Sequence, residues 1–398
     1  MKNSQKFKKF LSVSEKTKNI LTYILVAAVV ILIVMTAAQK LGNMTISTFT
    51  SDVRTYFMSL GSGDGYPYSL EADEVSDVVV NKSNLNFLLS DKTMALTSSA
   101  KEIMSKNHSF SSPVMKMKGS RMIVYDLDSG KFRVQSGADI LWEHSESGKL
   151  TAAAIGAKGN FAVAYYEDSS KSVLKVYGKN KKEKLSHDFS NERIIDVDLS
   201  PNGKFVAVAA VKAVNGEMTS KLYVLNIGSG ETTASFDYPS ATLLRVNYVK
   251  GNNIAVLGDS LRSYIKNNKD RQDDLNFNSD KLHNYRVAQN GSSVLVLSKY
   301  GSTSLSSLTF YNSKNKEKFT EEFDKEAKWV DTDGKYTAVL FDSEVRTYNS
   351  RGKQIGTIYF SGEPDRVVID GSRTYVLTSV NIKSYKTRGT TDERQASE

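Results

Sequence analysis

The chain has 398 residues, five prolines, twenty tyrosines, seventeen phenylalanines and no cysteine, a length that suits two or three average domains or one large all-β unit. The missing cysteine excludes thiolate metal sites, cysteine nucleophiles and redox pairs. The formal net charge is +9, but residues 1–18 hold six lysines and one glutamate, so the other 380 residues carry only +4, too little for a nucleic-acid footprint.

Residues 1–19 read as a basic cytoplasmic tail. Residues 20–38, "ILTYILVAAVVILIVMTAA", form 19 positions without a charge. At ~1.5 Å per residue they span roughly 28 Å, close to the ~30 Å hydrocarbon core. Lys2, Lys6, Lys8, Lys9, Lys16 and Lys18 flank this run on its N-terminal side. The positive-inside rule then places the N-terminus in the cytoplasm and everything after residue 40 outside, as a single-pass protein of the cell membrane. The rival is a cleaved signal peptide with Thr36-Ala37-Ala38 as its small-residue site, but signal h-regions are shorter, typically ~7–15 residues. An exported domain of this size without a disulfide points to a bacterial, Gram-positive envelope.

Residues 39–65 are predicted to be an amphipathic juxtamembrane linker. Ile46, Phe49, Val53, Tyr56, Phe57 and Leu60 recur at helical spacing, near the bilayer surface or against the folded domain. Gly61-Ser62-Gly63-Asp64-Gly65 matches a loose phosphate-loop pattern, yet no strand precedes it and no apolar helix follows. It reads as a flexible stop.

From residue 66 to 386 one phrase returns: a turn, then an apolar run. "LSPNGKFVAVAA" shows it best. Pro201 presets the first turn dihedral, Asn202 tolerates the second, and Gly203 permits positive φ, so two strands meet in a tight hairpin. The phrase recurs at Gly119, Gly159, Gly203, Gly251, Gly291, Gly334 and Gly371, with Asn84 taking the slot once more upstream. Successive gaps are 35, 40, 44, 48, 40, 43 and 37 residues. A second feature keeps the same phase, a strand ending in tyrosine before a polar turn: Tyr177, Tyr264, Tyr311, Tyr348 and Tyr385, with Leu225 once. It reads as the third strand of each unit. A period near 40 with several short strands per unit predicts an all-β fold, a β-propeller of eight blades, or seven if residues 75–118 fold otherwise. The last unit has room for three strands only. "YPYSLEA" (66–72) is predicted to supply the fourth, beside Ile382 to Tyr385. Residues 387–398 read as a disordered polar tail.

"LSPNGKFVAVAA" resembles WD40-like and TolB-like propeller repeats. "PVMKMKGSRMIVYDLDSGKFRV" resembles quinoprotein-like repeats, with Tyr125 to Lys131 as the telling part. The WD dipeptide is absent, so the likeness to WD40 is architectural. The order of parts, with "GDGYPYSL" and "HSFSSPVMKMKGSRMIVYD" after one spanning helix, resembles an uncharacterised Firmicutes family of single-pass membrane propellers, a domain of unknown function. That resemblance implies the fold and no activity, so function has to be argued from sites.

Catalytic, cofactor and metal sites are each predicted as none. His108, His144, His187 and His283 fit no metal or catalytic spacing. Asp274 to Asp280 mimics the start of a calcium loop, then fails at Ser279 and Tyr285; an outer strand explains the same alternation. Asp331-Thr332-Asp333-Gly334 occupies a hairpin slot. The lysines of 178–184 read as a solvated hairpin tip, with an anionic wall polymer as the alternative. Asn43, Asn81, Asn107 and Asn290 match glycosylation tripeptides by chance. The expected function is a binding or scaffold module for a protein, peptide or glycan at the cell envelope. A propeller hydrolase or lyase with a site in the central channel, or a sensor recruiting a cytoplasmic partner, is the alternative. Carboxylates or histidines clustered at the channel would favour an enzyme.

Overall fold

The computed structural model describes residues 46–394 other than 71–73, 82, 169–170, 273, 300–304 and 361, together with Ile20, Thr22, Tyr23, Leu25, Val26 and Val29. Residues 1–50 and 51–398 form two compact units. In the first, Ile20, Tyr23, Leu25, Val26 and Val29 are helical and exposed. Most of the 20–38 run lies outside the described residues. Among the described residues, no helix is long and apolar enough to cross a membrane.

The second unit is an eight-bladed β-propeller. Eight sheets follow in chain order, at 75–107, 113–145, 149–190, 193–238, 243–276, 281–323, 329–359 and 366–386, and are numbered blades 1 to 8. Residues 75–118, the region that could have reduced the ring to seven, form blade 1 and the inner strand of blade 2. Within a blade the strands are antiparallel and adjacent in sequence, and the first strand lies innermost. Up-and-down strands place the first-to-second and third-to-fourth connections on one side of the ring, the hairpin side. The second-to-third and blade-to-blade connections lie on the other, the return side.

The hairpin glycines have the conformation the turn requires. Gly119, Gly159, Gly203, Gly251, Gly291, Gly334 and Gly371 all have positive φ. In blade 1 the left-handed residue is Ser83, with φ 62°, and Asn84 already begins the second strand, so the slot sits one residue earlier than expected. At two of these positions glycine is required for a further reason. A Cβ on Gly291 would come within 2.6 Å of Val249 Cγ1, and one on Gly334 would overlap the Asn290 amide, each in the hairpin of the preceding blade. The third-strand tyrosines Tyr177, Tyr264, Tyr311 and Tyr348 are buried, as is Leu225.

Eight apolar clusters fill the eight seams, one between each pair of neighbouring blades. The seam between blades 3 and 4 is the richest in small side chains, with Ala152, Ala154, Ala162 and Ala164 facing Ile194, Val197 and Val208. The seam between blades 5 and 6 is the thinnest, with Leu257, Phe277, Leu295 and Tyr311 buried.

The ring closes through the segment expected to close it. Tyr68 and Ser69 pair antiparallel with Ile382 and Asn381, and the Leu70 amide donates to Val380 O at 2.9 Å. Tyr66, Tyr68 and Leu70 pack into the seam between blades 8 and 1, with the Tyr66 ring 5.3 Å from Tyr375. A second closure was not expected. Within the supposedly disordered tail, Gly389–Asp392 forms a strand parallel to the outermost strand of blade 7, Gln354–Tyr359. Gly389 turns with φ 91°, Thr390 and Thr391 suit an edge strand, and the Glu393 amide donates to Tyr359 O at 3.0 Å. Lys383 of blade 8 pairs with Glu393 at 2.7 Å, so the tail binds blade 7 to blade 8.

Among its described residues, the linker before the ring contains one helix, α1 (Ile46–Ser59). Met58 packs into the seam between blades 1 and 2, whereas Tyr56, Phe57 and Leu60 remain exposed. The glycine run that follows is no flexible stop. The Gly63 and Gly65 amides donate to Ser99 Oγ and Ser99 O at 3.1 and 3.2 Å, and a Cβ on Gly63 would collide with the backbone of blade 1.

Two measurements check this account. Gly334→Ala should lower unfolding stability by about 2–4 kcal/mol, combining left-handed strain with an overlap, and Gly119→Ala, which meets open space, by about 1 kcal/mol. A chain starting at Glu74 should unfold at least about 3 kcal/mol more easily than one starting at Asp64, because it loses a strand and the burial of Tyr66, Tyr68 and Leu70. Equal stability of the two would mean that the ring closes elsewhere.

Candidate functional site

Seven of the eight inner strands bring charged side chains to the axis. Lys116 of blade 2 reaches Asp196 of blade 4, past the inner strand of blade 3, where Ala152, Ala153 and Ala154 leave room. Asp196 also lies 3.6 Å from Arg245 of blade 5, whose Nε donates to Tyr285 Oη of blade 6 at 2.9 Å. The neighbouring Arg286 starts a second chain. It contacts Asp331 of blade 7 at 3.2 Å and, across the ring, Asp77 of blade 1 at 3.5 Å and the carbonyl of Val78. Arg366 of blade 8 donates to Ser76 O at 2.9 Å. The channel is thus crossed by side chains from opposite walls.

Four aspartates in this region tie neighbouring blades together. The Val246 amide donates to Asp196 Oδ2 at 3.0 Å and the Tyr248 amide to Asp198 Oδ2 at 2.6 Å. The same relation recurs between blades 7 and 8: the Ile369 amide donates to Asp331 at 2.9 Å and the Gly371 amide to Asp333 at 2.8 Å. An Asp-x-Asp at the end of an inner strand presents two carboxylates at the spacing of alternate amides on the next strand. Asp333 also accepts from the Lys335 and Tyr336 amides, which is the turn role expected for it. The inter-blade role of Asp331 was not expected. The Asp-x-Asp doublets are the signal that would have found it.

The carboxylates therefore do cluster at the channel, but they are committed. Each is held by cations, by backbone amides or by both. Burial pushes the Asp198 carboxyl above its ordinary range, against the pull of Lys118 and Lys116. Burial pushes the Lys116 ammonium below its ordinary value, although Asp196 pulls the other way. Among the described residues there is no group of three or more histidine, aspartate and glutamate side chains able to hold a metal ion.

The four histidines do not converge. His108 sits between blades 1 and 2, stacked on Phe110 at 5.1 Å; burial and then Arg133 lower its pKa. His144 and His187 lie on the outer strands of blades 2 and 3, against Trp142 and Phe189. His283 is on the inner strand of blade 6, 3.6 Å from Glu326. In the calcium-like stretch Asp274 is ion-paired with Arg271, Phe277 is buried, and Leu275–Asn276 pairs with the third strand of blade 5. Residues 178–182 form the third-to-fourth hairpin turn of blade 3, with 179–182 exposed and Gly178 buried.

Two clefts open on the hairpin side. One, of about 210 Å³, lies between α1 and the seam of blades 1 and 2, lined by Tyr56, Asn81, Asn84, Met104, Met117 and Met122 among others. The other, of about 570 Å³, lies between blades 7 and 8, with Tyr336, Arg373, Ser384, Tyr385, Lys386 and Arg388 in its wall.

The titration of two aspartates distinguishes their surroundings. Asp126 is also opposed by burial, yet the Ser112 amide and the Ser129 hydroxyl hold it below the ordinary range. Its stabilising effect is present at neutral pH and lost as pH falls through its folded value. Asp198 has the opposite sign, since its folded form binds the proton more tightly than the unfolded chain does. Asp126→Asn should therefore cost about 1–3 kcal/mol at pH 7 and less at pH 4, whereas the cost of Asp198→Asn should grow as pH falls from 7 to 5. Denaturant unfolding at the three pH values reads both slopes.

The family model described as a family of unknown function, DUF5711, matches residues 68–386, and the chain belongs to that family. No curated protein sequence matches it. Among solved structures it is similar to the C-terminal WD40 domain of Sif2, at 10% identity and a TM-score of 0.57, over 81% of this chain and 98% of that one. It is also similar to the quinohemoprotein alcohol dehydrogenase of Comamonas testosteroni, at 10% identity and 0.55, over 82% and 76%. A third is Chaetomium thermophilum Sqt1, crystallised bound to the N-terminus of ribosomal protein L10, at 13% identity and 0.53, over 80% and 98%. At such identities the likeness shows the fold alone.

Proposed function

We propose that this chain is a membrane-anchored propeller that acts outside the cytoplasm, as a binding or scaffold module for a protein, peptide or glycan at the cell envelope. The observation that carries the binding role is the state of the channel. The groups that converge there satisfy one another and bind blade to blade, so their work is structural. What remains for a partner is the loop surface of a rigid ring, the part of a propeller best suited to recognition. Sqt1, of the same fold, holds a protein terminus, which fits this class of role. The anchor reading rests on the uncharged run of residues 20–38 and its lysine flank.

Protease added to intact, wall-stripped cells should degrade epitopes beyond residue 66 and spare a tag at Met1; protection of the C-terminus would overturn the orientation. The enzyme alternative is tested at the axis. Lys116→Met combined with Asp196→Asn should leave any cellular phenotype intact as long as the chain stays folded by circular dichroism. Loss of phenotype with retained fold would make the network catalytic.

A further inference from the structure

The small net charge of residues 19–398 conceals a strong separation between the two sides of the ring. On the hairpin side, first-to-second turns carry Lys158, Lys204, Lys250 and Lys335. The third-to-fourth connections add Lys179, Lys181 and Lys182 in blade 3 and Lys314 and Lys316 in blade 6. Blade 7 adds Arg351 and Lys353. Carboxylates within these connections are rare, Glu231 and Asp333, the latter used by backbone amides, although Glu102, Glu183, Asp270 and Glu317 are exposed at the first positions of the fourth strands beside them. Among the described residues none of these cations pairs with a carboxylate. The return side is the reverse, with Asp91, Asp128, Asp259, Asp324, Asp342 and Glu363 exposed in its loops. Its lysines are neutralised locally, Lys325 by Glu344, Lys328 by Asp342 and Lys299 by Glu322.

Two further features lie on the basic side. The chain enters the propeller there: Arg54 of α1 meets Asp139 at 3.1 Å, and Lys101 holds Leu60 O at 2.5 Å, while Tyr56, Phe57 and Leu60 stay exposed. The 570 Å³ cleft between blades 7 and 8 also opens there. In its wall Arg373 and Lys386 face each other as a cross-strand pair, with Arg388 nearby. Like charges directly opposite are unfavourable unless an anion lies between them.

We propose that the hairpin side is the membrane-facing side of the ring, seated on anionic phospholipid headgroups, with the cleft between blades 7 and 8 receiving a headgroup phosphate. The proposal rests on the anchor reading above. A duplex nucleic acid or soluble polyphosphate would also meet a basic side. The bilayer is favoured because exposed aromatic and aliphatic side chains of α1, at blades 1 and 2, lie on the same side of the ring as the lysines, a combination that suits a headgroup–acyl boundary. Each lysine near an anionic surface strengthens binding about fivefold, within the screening length of ~8 Å in physiological salt.

The test uses the full chain, whose lack of cysteine allows single probes. Ser313→Cys labels a hairpin of the basic side and Ser343→Cys a loop of the return side. The labelled chains are placed in nanodiscs of phosphatidylcholine alone or mixed with phosphatidylglycerol, each with a headgroup quencher. With phosphatidylglycerol the Ser313 probe should be quenched several-fold more than the Ser343 probe. The difference should fall in neutral discs, in high salt, and in the variant K179Q/K181Q/K182Q/K314Q/K316Q, whose changes are at exposed hairpin tips. Arg373→Gln with Lys386→Gln should reduce it several-fold. Equal quenching of the two probes in the anionic discs, or stronger quenching at Ser343, overturns the proposal. Equal quenching together with tight binding of polyphosphate or duplex DNA assigns the side to a soluble polyanion, and overturns it too. Retention in neutral discs reads the anchor separately. A chain that leaves neutral discs but floats with phosphatidylglycerol vesicles through its basic side refutes the anchor and keeps the proposal.

Discussion

The structure depends on the closure of a ring whose two ends are far apart in sequence. A blade gains little by itself, because each sheet has two faces and both need a neighbour. Eight sheets in a circle satisfy that need only if the last meets the first. Here the meeting is made by backbone hydrogen bonds between Tyr68–Ser69 and Asn381–Ile382, and by Tyr66, Tyr68 and Leu70 in the last seam. The sequence between these points, over 300 residues, has to be ordered before that contact is rewarded, so loop-closure entropy weighs against it. The tail strand at 389–392 adds a second tie across blades 7 and 8, next to the place where the ring would open.

The axial charges extend the same logic inward. Apolar seams resist separation but tolerate sliding, since burial is not directional. Carboxylates that accept amides from the next inner strand fix the register of one blade against another. Asp196 and Asp198 do this for blades 4 and 5, and Asp331 and Asp333 for blades 7 and 8. Arg286 then joins blades 6, 7 and 1, and its loss would leave the buried Asp331 carboxylate without its counter-charge and free the half-buried Asp77 from blade 6. Such a network contributes specificity of arrangement more than net stability.

Much of the fold was legible because it repeats. Gly203 and its counterparts recur in phase with the third-strand tyrosines, and a hairpin glycine leaves a local signature that needs no knowledge of neighbours. What repeats once or not at all was hidden. The Gly389–Asp392 strand looks like a polar tail because an outer edge strand is solvated on most sides and needs few apolar residues. Asp331 and Asp333 read as turn chemistry, which Asp333 does perform, and Asp196 and Asp198 as part of a strand, while the inter-blade use of both doublets depends on an inner strand 38 or 50 residues away. Lys116 and Asp196 are separated by 80 residues, and their meeting across the channel follows only from the ring.

The separation of charge was invisible for a different reason. A composition sum adds the two sides, and they nearly cancel. Once strand boundaries assign each connection to a side, the third-to-fourth lysines of blades 3, 6 and 7 fall together with those of the first-to-second hairpins. Hairpin tips tolerate almost any polar residue, so folding alone does not demand lysine there or aspartate in the return loops. Unpaired like charges on one side repel one another and reduce the stability of the compact state. The return side shows that this sequence can neutralise its lysines, as Lys325 and Lys328 are neutralised, and among the described residues it does not do so for the lysines of the hairpin tips. An external anionic surface would offset that repulsion, and the ring then presents its acidic loops, rather than its basic ones, to whatever partner approaches from the solvent.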